Sequence, residues 1–175
     1  MVNSFPALPE TQRSSAPADV SVVVIFKDAE DFLEEALESV RGQTFRQWDL
    51  ILVDDGSRDR STQIARRYSE QVPGRIRYFE HDGHANRGMS ASRNLGIANA
   101  TGEFVSLLDA DDVLLPTALE EQVRVLRSHP SAGMVYGPLE YWYSWTGAPE
   151  DATRDFVYPV GVAPETLFEP FRLRA

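Results

Sequence analysis

Three carboxylates in four positions, Asp109, Asp111 and Asp112, follow the apolar stretch Phe104-Val105-Ser106-Leu107-Leu108. Like charges packed so closely at the mouth of a buried strand repel one another, and a positive partner relieves the repulsion. Parallel α/β sheets collect their ligands outside the carboxyl ends of the strands. Acids there are positioned for a divalent cation and the phosphates it carries, because hard cations take carboxylate and phosphate oxygens together. The same residues also fit a solvated turn that only starts the next helix, since Asp is common at turns and N-caps. A second acidic corner weighs for the first reading. Trp48-Asp49-Leu50-Ile51-Leu52-Val53 has the composition of a strand and empties into Asp54-Asp55-Gly56-Ser57, a turn with Gly for positive φ. A doubly wound sheet would set both strand ends on one edge, where a nucleotide could bridge them.

The surrounding pattern supplies such a sheet. Val20 to Phe26 is a continuous, mostly β-branched run of the kind buried on both faces of a parallel sheet. Phe32, Leu33, Ala36, Leu37 and Val40 then recur at helical spacing, with Asp28, Glu30 and Asp31 near the expected positive end and Gly42 as a stop. After the Asp-Asp-Gly-Ser corner a helix runs through Ile64, Ala65 and Tyr68, with Asp59 or Ser61 as cap, and ends at Pro73-Gly74. A short strand from Arg75 to Glu80 leads through the polar loop His81 to Gly88 into a helix from Met89 to Ala100. The strand Glu103 to Leu108 and the acidic corner follow. Pro116 suits the first turn of a helix striped by Leu119, Val123 and Leu126, which His129-Pro130 breaks. A further strand is expected within Gly133 to Tyr141, and a weak apolar stretch spans Leu167 to Phe171. The alternation predicts an α/β fold with a mainly parallel sheet.

Composition narrows the chemistry. The formal charge of -10 over 175 residues argues against nucleic acid, because affinity for a polyanion comes from Lys and Arg neutralising phosphates. Cysteine is absent, which excludes thiolate metal sites and thiol nucleophiles. Lys27 is the sole lysine. No apolar run is long enough to cross a bilayer and no basic head precedes an apolar segment, so a cytoplasmic protein without a transmembrane segment is expected. Residues 1–18 carry Pro6, Pro9 and Pro17 among small polar residues and are expected to form a flexible leader.

These motifs, in this order, resemble the family 2 glycosyltransferases, whose nucleotide-sugar-binding domain has the GT-A fold. The resemblance rests on the Asp54-Asp55-Gly56-Ser57 corner, on the run Asn86-Arg87-Gly88-Met89-Ser90-Ala91-Ser92-Arg93-Asn94-Leu95-Gly96, and on Leu108-Asp109-Ala110-Asp111-Asp112. It covers roughly residues 19–143, and several ordered motifs are more specific than any one. It implies a Rossmann-like three-layer αβα domain over 19–145, with 146–175 as a truncated C-terminal extension. It further implies a nucleotide-diphosphate sugar donor, an unknown acceptor, and transfer that inverts the sugar carbon. By the same resemblance Asp55, with Asp54 beside it, contacts the nucleobase. Phe26 and Asp28 border the base, Arg93 approaches base and diphosphate, and Asp109 lies near the ribose. Asp111, with Asp109 next to it, holds Mn²⁺ or Mg²⁺.

Two departures stand out. The family's first strand commonly ends in Pro-Thr-Tyr-Asn, where this chain has Ile25-Phe26-Lys27-Asp28; Lys27 either reaches a phosphate or sits exposed. The family's catalytic base comes from an acidic pair beyond the length of this sequence, and Asp151, Asp155, Glu165 and Glu169 lack its context. The catalytic residue is therefore unassigned, and the alternative function is a catalytically incomplete nucleotide-binding fragment. Among other classes, Asp109-Ala110-Asp111-Asp112-Val113 fits a dehalogenase-type phosphatase. That chemistry and the receiver domains both need a downstream lysine, and none follows Lys27. Leu114 occupies the position where an EF-hand needs Gly. His81, His84 and His129 are expected at the surface, and Tyr141, Trp142, Tyr143 and Trp145 are expected to pack.

Overall fold

The computed structural model describes residues 18–158. The chain divides after Glu120 into two compact units. The first holds a four-stranded, fully parallel sheet in the order β3-β2-β1-β4, made of β1 (Val20–Phe26), β2 (Trp48–Asp54), β3 (Ile76–Glu80) and β4 (Phe104–Asp109). Helices α1 (Leu33–Arg41), α2 (Ser61–Gln71) and α3 (Met89–Ala98) connect them. Right-handed crossovers put α1 and α2 on one face, and the return from β3 to β4 past β1 carries α3 to the other. This is the α/β architecture that the alternating runs imply, with strand bounds within a residue of those read from the sequence.

Every residue of β1 and β2 is buried, as expected of strands covered on both faces. Val23, Ile25, Ile51 and Val53 form the core under α3, with Phe79, Leu95 and Ala100 packed against them. Gly96 lets α3 lie that close, because a Cβ there would run into the Val23 side chain. β4 differs: Val105 and Leu107 remain exposed on its α3-side face. It is the terminal strand among the described residues.

The order in which strands are added reverses between β1 and β4, since β2 and β3 continue to one side of β1 and β4 lies on the other. Such a switch point opens a crevice at the carboxyl edge of the sheet. The register sets Phe26 beside Asp54 and Ile25 beside Asp109, so both acidic corners lie on that edge. Two strand spacings separate them, about 10 Å.

A buried glutamine anchors the far side of the second corner. Gln43 is fully buried just beyond α1. Its Nε2 donates to the Leu115 carbonyl at 2.8 Å and to Ser39 at 3.1 Å, while its Oε1 accepts the Leu119 N–H at 3.0 Å. It thereby ties the start of α4 (Ala118–Ser128) to α1.

In the second unit the strand expected within Gly133 to Tyr141 shortens to β5 (Leu139–Tyr141), which pairs antiparallel with β6 (Phe156–Tyr158) and not with the parallel sheet. Gly133, Gly137 and Pro138 account for the loss: glycine weakens a strand, and proline has no N–H for a ladder. The expected packing is only local: Tyr141, Trp142 and Trp145 stay exposed, and Tyr143 is half-buried. Tyr141 stacks on Phe156 at 4.9 Å and the Arg154 guanidinium lies over Tyr143 at 4.2 Å. The stretch Leu167 to Phe171 and the leader up to residue 17 lie outside the described residues. Among the described residues no helix is long and apolar enough to cross a membrane.

Candidate functional site

The end of β2 is a closed hydrogen-bonded corner. Asp54 is completely buried. Its Oδ1 accepts the Ser57 N–H at 2.8 Å, and its Oδ2 accepts the Thr62 hydroxyl at 2.5 Å and the Tyr78 hydroxyl at 3.2 Å. Asp55 donates its N–H to the Phe26 carbonyl at 2.9 Å. The Asp55 carboxylate, 5% exposed, accepts the Arg87 N–H at 2.7 Å and the Gly88 N–H at 3.0 Å. Those two amides precede α3, so Asp55 fixes where that helix begins.

Gly56 permits this closure. Its φ is +78°, and a Cβ there would stand 2.9 Å from the Asn86 nitrogen and the His84 carbonyl oxygen. A side chain would therefore push away the loop that brings Arg87 and Gly88 to Asp55. Phe26 is buried at the end of β1. Asp28 follows in the left-handed region at φ 51°, with its N–H on Ser57 Oγ at 3.1 Å and its Oδ1 accepting the Arg58 N–H at 2.7 Å. Lys27 pairs with Asp28 at 2.6 Å on the surface. The Lys27 ammonium and the Arg58 N–H hold the Asp28 carboxyl below its ordinary range.

Two histidines brace the loop between β3 and α3. His84, also left-handed at φ 55°, sets Nδ1 2.9 Å from the Glu80 carboxylate and Nε2 2.8 Å from the Ser57 carbonyl. His81 Nε2 lies 3.0 Å from the hydroxyl of Ser92, a fully buried residue of α3, and 3.9 Å from Asp55 Oδ1. Both rings were expected as plain surface residues. Isolated histidines in a polar loop give no periodic signal that would reveal such partners.

The second corner is open. Ser92 and Gly96 turn α3 toward the sheet, and Arg93 reaches toward β4, where its guanidinium donates to Asp109 Oδ1 at 2.7 Å. Asp111 and Asp112 are exposed. Desolvation by the surrounding fold, and after it the charges on Asp111 and Asp109, push the Asp112 carboxyl above its ordinary range. Among the described residues no group of three or more His, Cys, Asp or Glu side chains could hold a metal ion by itself.

The carboxyl edge of the sheet thus gathers Phe26, Asp28, Asp54, Asp55, Arg93 and Asp109, with Asp111 following directly in the chain. Helix α3 links the two corners, beginning at Asp55 and carrying Arg93 to Asp109. Asp151 and Asp155 of the second unit are engaged locally. Asp155 accepts the Tyr143 and Ser144 N–H groups at 2.6 and 2.9 Å, and Asp151 is occupied by Thr146 and Arg154. Glu165 and Glu169 lie outside the described residues.

Residues 21–156 match the family model described as Glycosyl transferase family 2. The chain is 36% identical over 110 residues to the putative glycosyltransferase EpsE of Bacillus subtilis, covering 63% of this chain and 39% of that protein. It is 39% identical over 101 residues to the uncharacterized glycosyltransferase YibD of Escherichia coli, covering 58% and 28%. Among solved structures it resembles S. aureus TarS 1-349 in complex with UDP-GlcNAc, with a TM-score of 0.58 and 27% identity over 64% of this chain and 32% of that one. It also resembles the mannosyltransferase PcManGT from Pyrobaculum calidifontis in complex with GDP-Man and Mn²⁺, with a TM-score of 0.55 and 26% identity over 64% and 33%. The chain spans well under half the length of each of these proteins.

Proposed function

Because the chain belongs to glycosyl transferase family 2, we propose that it binds the donor in a cytoplasmic glycosyltransferase, which moves a sugar from a nucleoside diphosphate to an acceptor with inversion at the sugar carbon. The observation that carries this reading is the parallel register that sets the ends of β1, β2 and β4 side by side, with Arg93 already paired to Asp109. Similarity to proteins solved with UDP-GlcNAc and with GDP-Man supports the donor class.

In this reading Asp55 accepts an imide N–H of the base, the one ring hydrogen that a uracil offers at that edge. Asp54 does not touch the donor through its side chain. Its three hydrogen bonds keep the β2 turn in place, so that Asp55 is presented with the backbone of Phe26 and Asp28 around it. Arg93 faces the diphosphate with delocalised positive charge and orients Asp109 toward the ribose. Asp111, with Asp109 beside it, would hold a divalent cation, whose Lewis acidity stabilises negative charge on the departing diphosphate when it is bound. An acceptor hydroxyl must lose its proton as it attacks, which calls for a carboxylate base outside the edge described above.

Calorimetry with UDP and GDP, each with and without Mn²⁺, tests the reading. Binding strengthened by the cation is expected for at least one nucleotide. Silence with both, under every condition, would overturn it. A second reading, nucleotide binding without transfer, is favoured by the local hydrogen bonds that occupy Asp151 and Asp155. A transferase assay on the chain, scored by release of free nucleoside diphosphate over hydrolysis controls, separates the two.

A further inference from the structure

His84 sits where two acceptors converge on one ring. The Ser57 carbonyl can only accept, so Nε2 must carry a hydrogen to bond it at 2.8 Å. The Glu80 carboxylate, 2.9 Å from Nδ1, already accepts the Tyr78 hydroxyl at 2.6 Å, an interaction that keeps it ionised. An ionised carboxylate facing a bare ring nitrogen would be repulsive, so Nδ1 carries a hydrogen too. Only the imidazolium satisfies both partners at once.

We propose that the His84 imidazolium is a positioning residue for the nucleotide corner: it rivets the loop between β3 and α3 to β3 and to the β2 turn, and so keeps the Arg87 and Gly88 amides on the Asp55 carboxylate. The geometry leaves little slack. The His84 carbonyl lies against Gly56, and Arg87 and Gly88 are only three and four residues further along. When the ring loses a proton, the bond to Glu80 or the bond to Ser57 is lost. Asp55 then becomes free to turn, and donor binding weakens. This inference rests on the reading of Asp55 as a base ligand.

The charged groups around the ring come from four elements. Glu80 belongs to β3, as does Tyr78, which bridges Glu80 and Asp54. Asp54 ends β2, and Arg66 of α2 pairs with Glu80 at 3.3 Å. Asp82 and His81 share the loop with His84, and Asp55 lies next to His81. Arg66 competes for Glu80 and favours proton loss, whereas Asp54 and Glu80 favour the cation. The Ser57 carbonyl first, then Glu80, hold the His84 pKa above the ordinary histidine value. A group raised in this way contributes its full effect below the ordinary value and loses it as pH climbs through the raised one.

The full chain, with UDP as probe, decides the matter. The NMR titration of the His84 ring gives its proton-loss pH, and amide hydrogen exchange at Arg87 and Gly88, corrected for intrinsic pH dependence, reads the loop without nucleotide. Protection of both amides should fall as the ring deprotonates, and the UDP dissociation constant should rise several-fold over the same interval. His84→Gln should abolish both steps and leave the amides weakly protected throughout, while Glu80→Gln should move both steps to lower pH. Equal, pH-independent protection in wild type and His84→Gln would overturn the proposal, as would an unmoved step in Glu80→Gln. A pH step in amide protection without UDP binding at any pH would leave the rivet standing and remove the nucleotide reading.

Discussion

The two acidic corners answer the same electrostatic problem in opposite ways. At the end of β2, Asp54 and Asp55 are buried and each receives backbone or hydroxyl hydrogens from within the fold. At the end of β4, Asp109 meets one guanidinium while Asp111 and Asp112 stand in solvent with their mutual repulsion unrelieved. The first corner spends Asp54 on its own architecture and pins Asp55 in place with backbone amides, so it forms a fixed wall. The second leaves Asp111 and Asp112 exposed, and the proposed cation would relieve their repulsion.

The contrast is sharpest in stability. Asp54→Ala strands the Ser57 N–H and the Thr62 hydroxyl, while the Tyr78 hydroxyl keeps its bond to Glu80, and should cost about 3 kcal/mol in urea unfolding. Asp111→Asn removes an exposed carboxylate and should stay within about 0.5 kcal/mol of wild type. Equal losses at the two sites would erase the distinction. Next in size, Gly56→Ala should cost about 2 kcal/mol, through a strained φ and two close backbone approaches, and should weaken UDP binding with it. Stability unchanged by that substitution would mean the loop does not depend on the closeness of the turn.

Binding should reverse the ranking of the corners. Removing divalent cations with EDTA, or substituting Asp111→Asn, should weaken UDP about tenfold, or ~1.4 kcal/mol, while the melting curve of the free protein stays put. A variant that still responds to Mn²⁺ would move the ligand role to another residue. The smallest effect concerns acid. Asp28 and Glu30 are held below their ordinary values by Lys27, Arg58 and Arg60, so their contribution is complete above 3.8 and 4.5 and fades as pH falls below those values. Asp28→Asn should make the acid limb of the stability profile shallower, and an unchanged limb would show that the surface pairs around Asp28 contribute nothing measurable.

The sheet was readable because burial leaves a periodic signature. The run Val20 to Phe26 and the stretch Trp48 to Val53 are apolar because both faces are covered, and the motif glycines Gly56 and Gly96 stand where side chains would collide. The convergence of the corners on one edge was readable too, since it follows from parallel order alone. How each carboxylate is used was not. Asp54 and Asp111 both read as acids at strand ends, and only the positions of Thr62, Tyr78 and Ser57 separate a buried acceptor from a free one. Gln43 and His84 were missed for a related reason, because their partners are carbonyls and carboxylates brought near by the fold and not by sequence spacing. The strand expected within Gly133 to Tyr141 shortened to Leu139–Tyr141 because aromatic content outweighed Gly137 and Pro138 in the reading.

The position of each strand in the ladder has a mechanical consequence. β2 is hydrogen-bonded on both sides, to β1 and β3, whereas β4 is held on one side only among the described residues. Tilting the tip of β2 would tear two ladders, and tilting the tip of β4 would tear one. The tip of β2 is therefore moored more firmly than the tip of β4, and the two ends of the crevice differ in stiffness before anything binds between them.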